Sequence, residues 1–469
     1  MIAAVIRKEL RGFLRDGRLL VLAMAMLCVL AGALAASVVS NIRSQTQRDA
    51  IDATARAQWE QQGDKNPHRA AHFGIYVFKP SLMLAALDPG IGEQVGQSLW
   101  LEPHKRNPTR HSRDADAPST SFLGELTPIF VLVALVPLLI IAMGHNSVSH
   151  ERETGTLRML HAAGLQGRDL LVGKWLAVLL ATGLALLPVA LLALGSMVLL
   201  SADEALRLVF VVLSLTVYYA VFAALTVAVS ARLRTSRGAL LLLLSIWIGA
   251  LWVVPRLGAA GAEAVLPVPT GISFSRQIAD DIRTGLPGDG DAASRMAAFD
   301  ARMLADYKVS SLNDLPFGAN AARRLYRDAY AAQVYALHFD RLWDRYAAQQ
   351  NILRIAGLFS PVIPLRGVSS AMAGTDLAHQ RHFEEQAEIY RQAFTEQIDQ
   401  WDLQARRGVV SAEDRYGGES VWMSVKPFEY RSPALGFALE QALLDVLTML
   451  GWLVLAVALL ARTARRVEP

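Results

Sequence analysis

Few side chains in this sequence stand at spacings that chemistry can use. The histidines of the two long polar stretches are His68, His72, His104, His111, His338, His379 and His382. His379 and His382 lie three residues apart, close to one helical turn, with Glu385 and Glu388 continuing the interval. Glu-x-x-His metal sites in helical bundles use that interval. A solvated polar helix face shows it more often, so no metal ligand is assigned from the pattern. No H-E-x-x-H, G-x-S-x-G or paired-cysteine motif occurs, so no catalytic residue is assigned either. The single cysteine, Cys28, excludes an intrachain disulfide and any thiolate-built zinc or iron–sulfur centre. The stretch GRDLLVGKW from Gly167 looks like a phosphate-binding loop. Gly167 and Gly173 are one residue too far apart for it, however, and Trp175 stands where a magnesium-binding hydroxyl is needed. The chain is therefore read as a non-enzyme with no cofactor of its own.

The elements that carry these residues are set by bunched apolar runs. Of 469 residues, 53% are hydrophobic and 19% charged, below the ~25% usual in soluble domains. Six runs approach the ~20 apolar residues that a membrane-crossing helix needs to satisfy its own backbone. They cover 19–40, 122–143, 175–200, 206–230, 239–255 and 436–461. Pro128, Pro137 and Pro188 predict kinks. Ala33-Leu34-Ala35 resembles a signal cleavage site, but the first run exceeds a signal core of ~7–15 residues, which favours an uncleaved anchor. Glu440 and Asp445 fall in the sixth run. An ionisable group inside a span is a functional candidate by default, and both are carried as possible intramembrane polar residues. A helix that starts only at Leu443, leaving both in the interface, is the slightly preferred alternative. Glu125 and Arg207 carry the same ambiguity.

Basic residues then assign sides. Arg7, Lys8, Arg11, Arg15 and Arg18 precede the first run, and Arg152, Arg158, Arg168 and Lys174 follow the second. Arg232, Arg234 and Arg237 follow the fourth, and Arg462, Arg465 and Arg466 follow the sixth. With six spans all four groups share one side, so both termini are expected in the cytoplasm. Segments 41–121 and 256–435 are then external, because long domains translocate regardless of charge. The net charge of +4 is too small to argue for nucleic acid. Ile2, Val5, Ile6, Leu10, Phe13 and Leu14 alternate with basic residues, which predicts an amphipathic surface helix over 1–18. An early start of the first span is the other reading.

The largest cytoplasmic segment, 144–174, contains SHERETGTLRMLHAAGLQGRDLLVGKW. A short helix is expected at 151–163, broken near Gly164 and Gly167. It would present Leu157, Met159 and Leu160 to a partner groove, with Glu151, Arg152, Glu153 and Arg158 at the rim. This pattern resembles the coupling-helix signature of ABC-2 type transporter permeases. Glu153, Gly155, Thr156 and Leu157 match its core, and Gly173-Lys174 match the re-entry into the next helix. The resemblance implies contact with a cytoplasmic ABC ATPase, where ATP and magnesium bind, and a second permease copy or a related permease. Residues assigned to ATPase coupling are Glu151, Arg152, Glu153, Gly155, Thr156, Leu157, Arg158, Leu160 and Lys174.

Long external segments are unusual in that family. AHFGIYVFKP, LDPGIG, LEPHKRN and AMAGTDLAHQRHFEEQAEIYRQAF resemble a subgroup with a large insertion between the fifth and sixth spans. From the residues alone, Phe383, Ala387, Tyr390, Phe394, Ile398, Trp401 and Ala405 form a continuous helical stripe. Tyr326, Tyr330, Val334 and Leu337 form another. Asp376 is a candidate N-cap, Gly408 a candidate stop and GLPGDGD a turn-rich linker. The stripes suit an internal core, or a coiled coil with a second chain. Segment 41–121 is too poor in core residues to fold alone and should pack on these helices.

The expected architecture is an all-α membrane protein with six transmembrane helices, a mainly helical external domain built from 41–121 and 256–435, and a cytoplasmic tail at 462–469. The expected function is the permease subunit of an ATP-driven ABC-2 type transporter in a bacterial inner membrane. The alternative is a subunit that passes ATPase motion to an external protein without moving cargo.

Overall fold

The computed structural model describes residues 1–109, 126–404 and 416–467. Glu125, His111, Ala405 and Gly408 lie outside the described residues, as does the start of the second apolar run. The described residues are almost entirely helical, in agreement with the expected all-α class.

Helix α1 (Ile2–Arg15) ends at Asp16, whose carboxylate caps the next helix by accepting from the Arg18 amide. That helix, α2 (Gly17–Glu60), does not stop near residue 40 but runs unbroken for 44 residues. At ~1.5 Å per residue this is about 65 Å, roughly twice a bilayer core. Its second half is polar but contains no Pro and no Gly, so nothing in the backbone ends it. Helix α3 (Pro67–Ala71), strand β1 (Ile75–Phe78), helix α4 (Gly92–Val95) and strand β2 (Ser98–Leu101) follow. The two strands form an antiparallel hairpin with Tyr76 opposite Trp100.

The bundle begins with α5 (Pro128–Gly144). The loop helices α6 (Ser149–Glu153) and α7 (Thr156–Ala162) lead into α8 (Gly167–Ala185) and α9 (Leu187–Ser196). The third apolar run is thus not one straight span: α8 and α9 meet at 57°. Pro188 lacks the amide that would bond the Leu184 carbonyl, and its ring crowds that turn. Helix α10 (Ala202–Arg232) is followed by α11 (Ser236–Ile248), a π-helical turn at Gly249–Val253 and α12 (Val254–Val265). Pro255 sits just after that turn and accounts for the widened backbone. Among the described residues, five helices are long and apolar enough to cross a membrane, or six if the bent α8–α9 pair is one span. The chain closes with α13 (Gly271–Thr284), α14 (Ala292–Tyr307), α15 (Ala319–Ala356), α16 (Val362–Ala373), α17 (Leu377–Gln404), α18 (Glu419–Ser424) and α19 (Leu435–Ala464).

Helix α10 is the centre of the bundle and packs against α5, α8, α16 and α19. Its small residues Ala220, Ala223, Ala224 and Ala228 are buried and allow close helix approach. Pro137 inside α5 leaves the Val133 carbonyl without an intrahelical donor. Tyr218 of α10 fills the gap, donating its hydroxyl to that oxygen at 2.9 Å.

A second core lies in the long polar segments. Trp59 near the end of α2 packs edge-on to Phe394 of α17 and Trp422 of α18, with centroids 5.9 and 6.4 Å apart. The Trp59 indole donates to the Trp422 carbonyl at 2.9 Å. Val77, Leu99 and Leu101 of the hairpin join Phe383, Ala387 and Ile398 of the α17 stripe in the same cluster. Segment 41–109 is therefore a layer on α17, and the stripe is consumed by an intramolecular core.

Candidate functional site

The four basic segments meet at one end of the bundle. Arg232 donates to Thr463 Oγ1 at 3.1 Å, and Gly167 lies so close to Ala464 that a Cβ would stand 2.5 Å from its carbonyl oxygen. Gly173 is needed for the same reason: a Cβ there would meet Val5 of α1 at 2.8 Å.

At this end α6 and α7 form a junction rather than one helix over 151–163. Gly155 breaks them with φ +76°, a left-handed conformation open to glycine and costly for most other residues. Glu151 accepts from the Lys8 ammonium at 2.7 Å and from the Thr156 hydroxyl, and faces Lys174 at 3.7 Å. Lys174 is 2% exposed and also bonds Glu9 at 2.8 Å. Burial pulls the Lys8 ammonium down, but its bonds to Glu151 and Glu9 outweigh that and hold it above its ordinary value. Arg152 donates to the Leu233 and Ala231 carbonyls, both at 2.9 Å, and so caps the end of α10. Glu153 accepts from the Ser236 amide at 2.9 Å and hydroxyl at 2.7 Å, at the start of α11. Ser149 and Ser230, both buried, link α6 to α10, with Ser230 Oγ accepting from the Val148 and Ser149 amides.

These contacts correct the expected presentation. Leu157 is 1% exposed and belongs to the bundle core, so it anchors α7 instead of offering itself to a groove. Leu160 is half-buried against that core. Glu151, Arg152 and Lys174 are spent inside the chain. The open surface of the junction consists of Glu153, Thr154, Gly155, Arg158 and Met159, the last 71% exposed.

The candidate intramembrane carboxylates separate. Helix α19 starts at Leu435, not at Leu443, so both sit within it. Glu440 is exposed. Asp445 is buried, receives Arg354 of α15 at 3.2 Å and rests on Gly367 of α16, where a Cβ would lie 2.5 Å from its carboxylate. Arg207 is fully buried as a strut, donating to Asp203 and to the Pro433 carbonyl, each at 2.6 Å. Asp203 in turn accepts from the Leu435 amide and caps α19.

His379 and His382 do not form a polar helix face. His379 is buried, with Nδ1 2.5 Å from Asp376 Oδ1, and His382 Nδ1 lies 3.0 Å from the Tyr430 hydroxyl. The histidines that do converge are His68, His72 and His104, whose ring nitrogens lie within 4.8 Å of one another. Partial burial, with His68 and His104 alongside, holds His72 below the ordinary histidine range. The sequence signal for them was weak: only His68 and His72 share an i, i+4 relation, and His104 comes from a separate hairpin.

Comparison with known proteins follows this division. No curated protein matches the chain. Residues 272–431 match a family described as a domain of unknown function (DUF3526), which takes in α13 to α18 and ends ahead of α19. Residues 92–260 match a family described as ABC-2 family transporter protein, so this multi-pass chain carries a transmembrane domain similar to that of ABC-2 transporters, the permease part of an ABC transporter.

Proposed function

We propose that the α6–α7 junction is the surface on which a cytoplasmic ABC ATPase acts, and that two such permeases form one translocation unit. The observation that carries this reading is the way the junction is built into the bundle. Glu151, Arg152 and Glu153, three consecutive side chains, hold α1, α8, α10 and α11 at once. A push on Met159 and Arg158 would reach four helices without a flexible link between. Work is transmitted only if the ATPase grips this surface better in one nucleotide state than in the other. ATP and magnesium belong to that partner. The basic end then faces the cytoplasm of a bacterial inner membrane, and residues 41–109 and 271–430 lie outside it.

A photo-crosslinking side chain at Met159 tests this in cells. Capture of an ABC ATPase through Met159, and not through a matching side chain at exposed Ile272 of α13, is the expected outcome. Labelling of Met159 by a membrane-impermeant reagent added from outside would overturn the orientation and the reading together.

A second reading, force transmission to an external protein, rests on α2. Its first turns lie at the basic end, and Trp59, near the other end of the same 44-residue helix, is locked into the second core, with no break for motion to dissipate in. Retained ATPase stimulation, with no cargo moved in vesicles holding the purified complex, would favour it over transport.

A further inference from the structure

We propose that His68, His72 and His104 bind a divalent transition-metal ion of the zinc class through three imidazole nitrogens, with a fourth coordination position open to solvent. The site lies in the second core's outer layer, far along the chain from the junction, and is independent of how the junction works.

The first argument is metric. His68 Nε2 lies 3.3 Å from His72 Nε2 and 3.4 Å from His104 Nε2. Zinc–nitrogen bonds of ~2.0–2.1 Å at tetrahedral angles put neighbouring ligand atoms about 3.3–3.4 Å apart. The rings face one another, with centroids 4.7, 5.0 and 5.3 Å apart, instead of fanning into solvent.

The second argument is protonic. His104 Nδ1 lies 2.6 Å from Asp328 Oδ1 of α15. An ionised carboxylate only accepts, so Nδ1 carries the proton and the neutral ring turns its Nε2 lone pair toward His68. His68 Nδ1 is buried without a hydrogen bond and is 3.8 Å from Asp399 Oδ1 of α17, so a carboxylate also stands behind this ring. With His104 Nε2 an acceptor, its 3.4 Å contact with His68 Nε2 is satisfied by a proton on His68 or by a cation shared between the rings. Carboxylates behind the distal nitrogens are the arrangement that orients metal-bound imidazoles and raises their basicity. Neutral imidazoles suit zinc, copper and nickel better than calcium or magnesium.

The third argument is positional. His104 has φ +65°, a left-handed backbone that few non-glycine residues adopt, in the turn closed by the Glu102–Lys105 bridge. His72 is fixed from its other side. Gly74, at φ +71°, leaves its missing Cβ position to the Trp100 indole, so the turn from His72 into β1 lies against the hairpin. His68 and His72 stand one turn apart, and α3 itself is capped by Asn66, which accepts from the His68 and Arg69 amides. His72 is exposed while the other two are half-buried, so the open side of the triad faces water.

Cobalt(II) titration of the full-length chain, purified in detergent and stripped with chelator, tests the proposal. One equivalent should bind with the visible absorption of a four-coordinate site, and zinc should displace it. His72→Gln, at an exposed position, and His104→Asn, which tolerates the left-handed backbone, should each abolish the absorption. Asp328→Asn should weaken binding about 10–100-fold. His382→Ala should leave it unchanged. Monodisperse elution and unchanged melting in chelator establish that each variant is folded. Absence of saturable cobalt binding by the native chain, or full binding by folded His72→Gln, overturns the proposal.

Discussion

The junction at the basic end and the histidine cluster of the second core both gather ionisable side chains from distant parts of the chain, and they do so to opposite effect. At the junction the buried charges all have complements. Lys174 lies between Glu9 and Glu151, Arg152 meets two carbonyls, and Glu153 meets an amide and a hydroxyl. In the cluster, carboxylates stand behind two of the rings and ring nitrogens meet in front. Closed complementarity makes a rigid joint. Converging ring nitrogens make a place for a cation. Charge density alone does not tell the two apart, but the direction in which protons are held does.

The largest test of this contrast is Lys174→Met. It leaves Glu9 and Glu151 bridged by the exposed Lys8 alone, so the loss stays below the about 3–5 kcal/mol of a fully uncompensated buried charge. Melting in detergent should fall accordingly, and α1 should become protease-sensitive. A melting point within a degree of native would show that Lys174 is not the keystone of the joint. Next, Arg152→Gln should cost about 1.5–3 kcal/mol, as for hydrogen bonds to a charged donor. Arg158→Gln, one turn away on the open face, should stay within about 0.5 kcal/mol. Equal losses from the two would erase the distinction between the spent and the open side of the junction. Met159→Glu should likewise leave melting unchanged yet remove ATPase co-purification. Retained association would move the docking surface elsewhere. The smallest effect is local. Zinc should slow hydrogen exchange at 66–74 and 101–107 and leave 149–163 untouched. Protection at the junction instead would mean that the metal binds there.

Much of the bundle was legible in the sequence. Apolar runs and proline positions follow from the cost of unpaired backbone groups in lipid, which acts locally and so leaves a local trace. The break between α8 and α9 at Pro188, the Tyr218 bond to the carbonyl freed by Pro137 and the α17 stripe all grow from single residues or fixed intervals. The sequence suggests one short helix at 151–163, whereas the structure splits it at Gly155 and turns most of its charged side chains to partners within the chain. The acidic and basic residues around Gly155 looked like a rim for a partner because their intramolecular partners, Lys8, Ser236 and Leu233, lie 80 or more residues away. The His379–His382 interval was noticed because it is short. The cluster that converges leaves no such trace, because His104 reaches it from the turn that follows the hairpin.

By itself the sequence determined which stretches must be helical, which faces of them are apolar and at which end of the bundle the basic residues gather, since each depends on chemistry repeated over a few neighbouring residues. Tertiary structure alone decided which charges are cancelled inside the chain and which nitrogens are left facing one another. Those outcomes depend on ångström-scale approach between segments far apart in sequence, such as α1 seated on Gly173 and Gly74 on Trp100, and no local pattern encodes such distances.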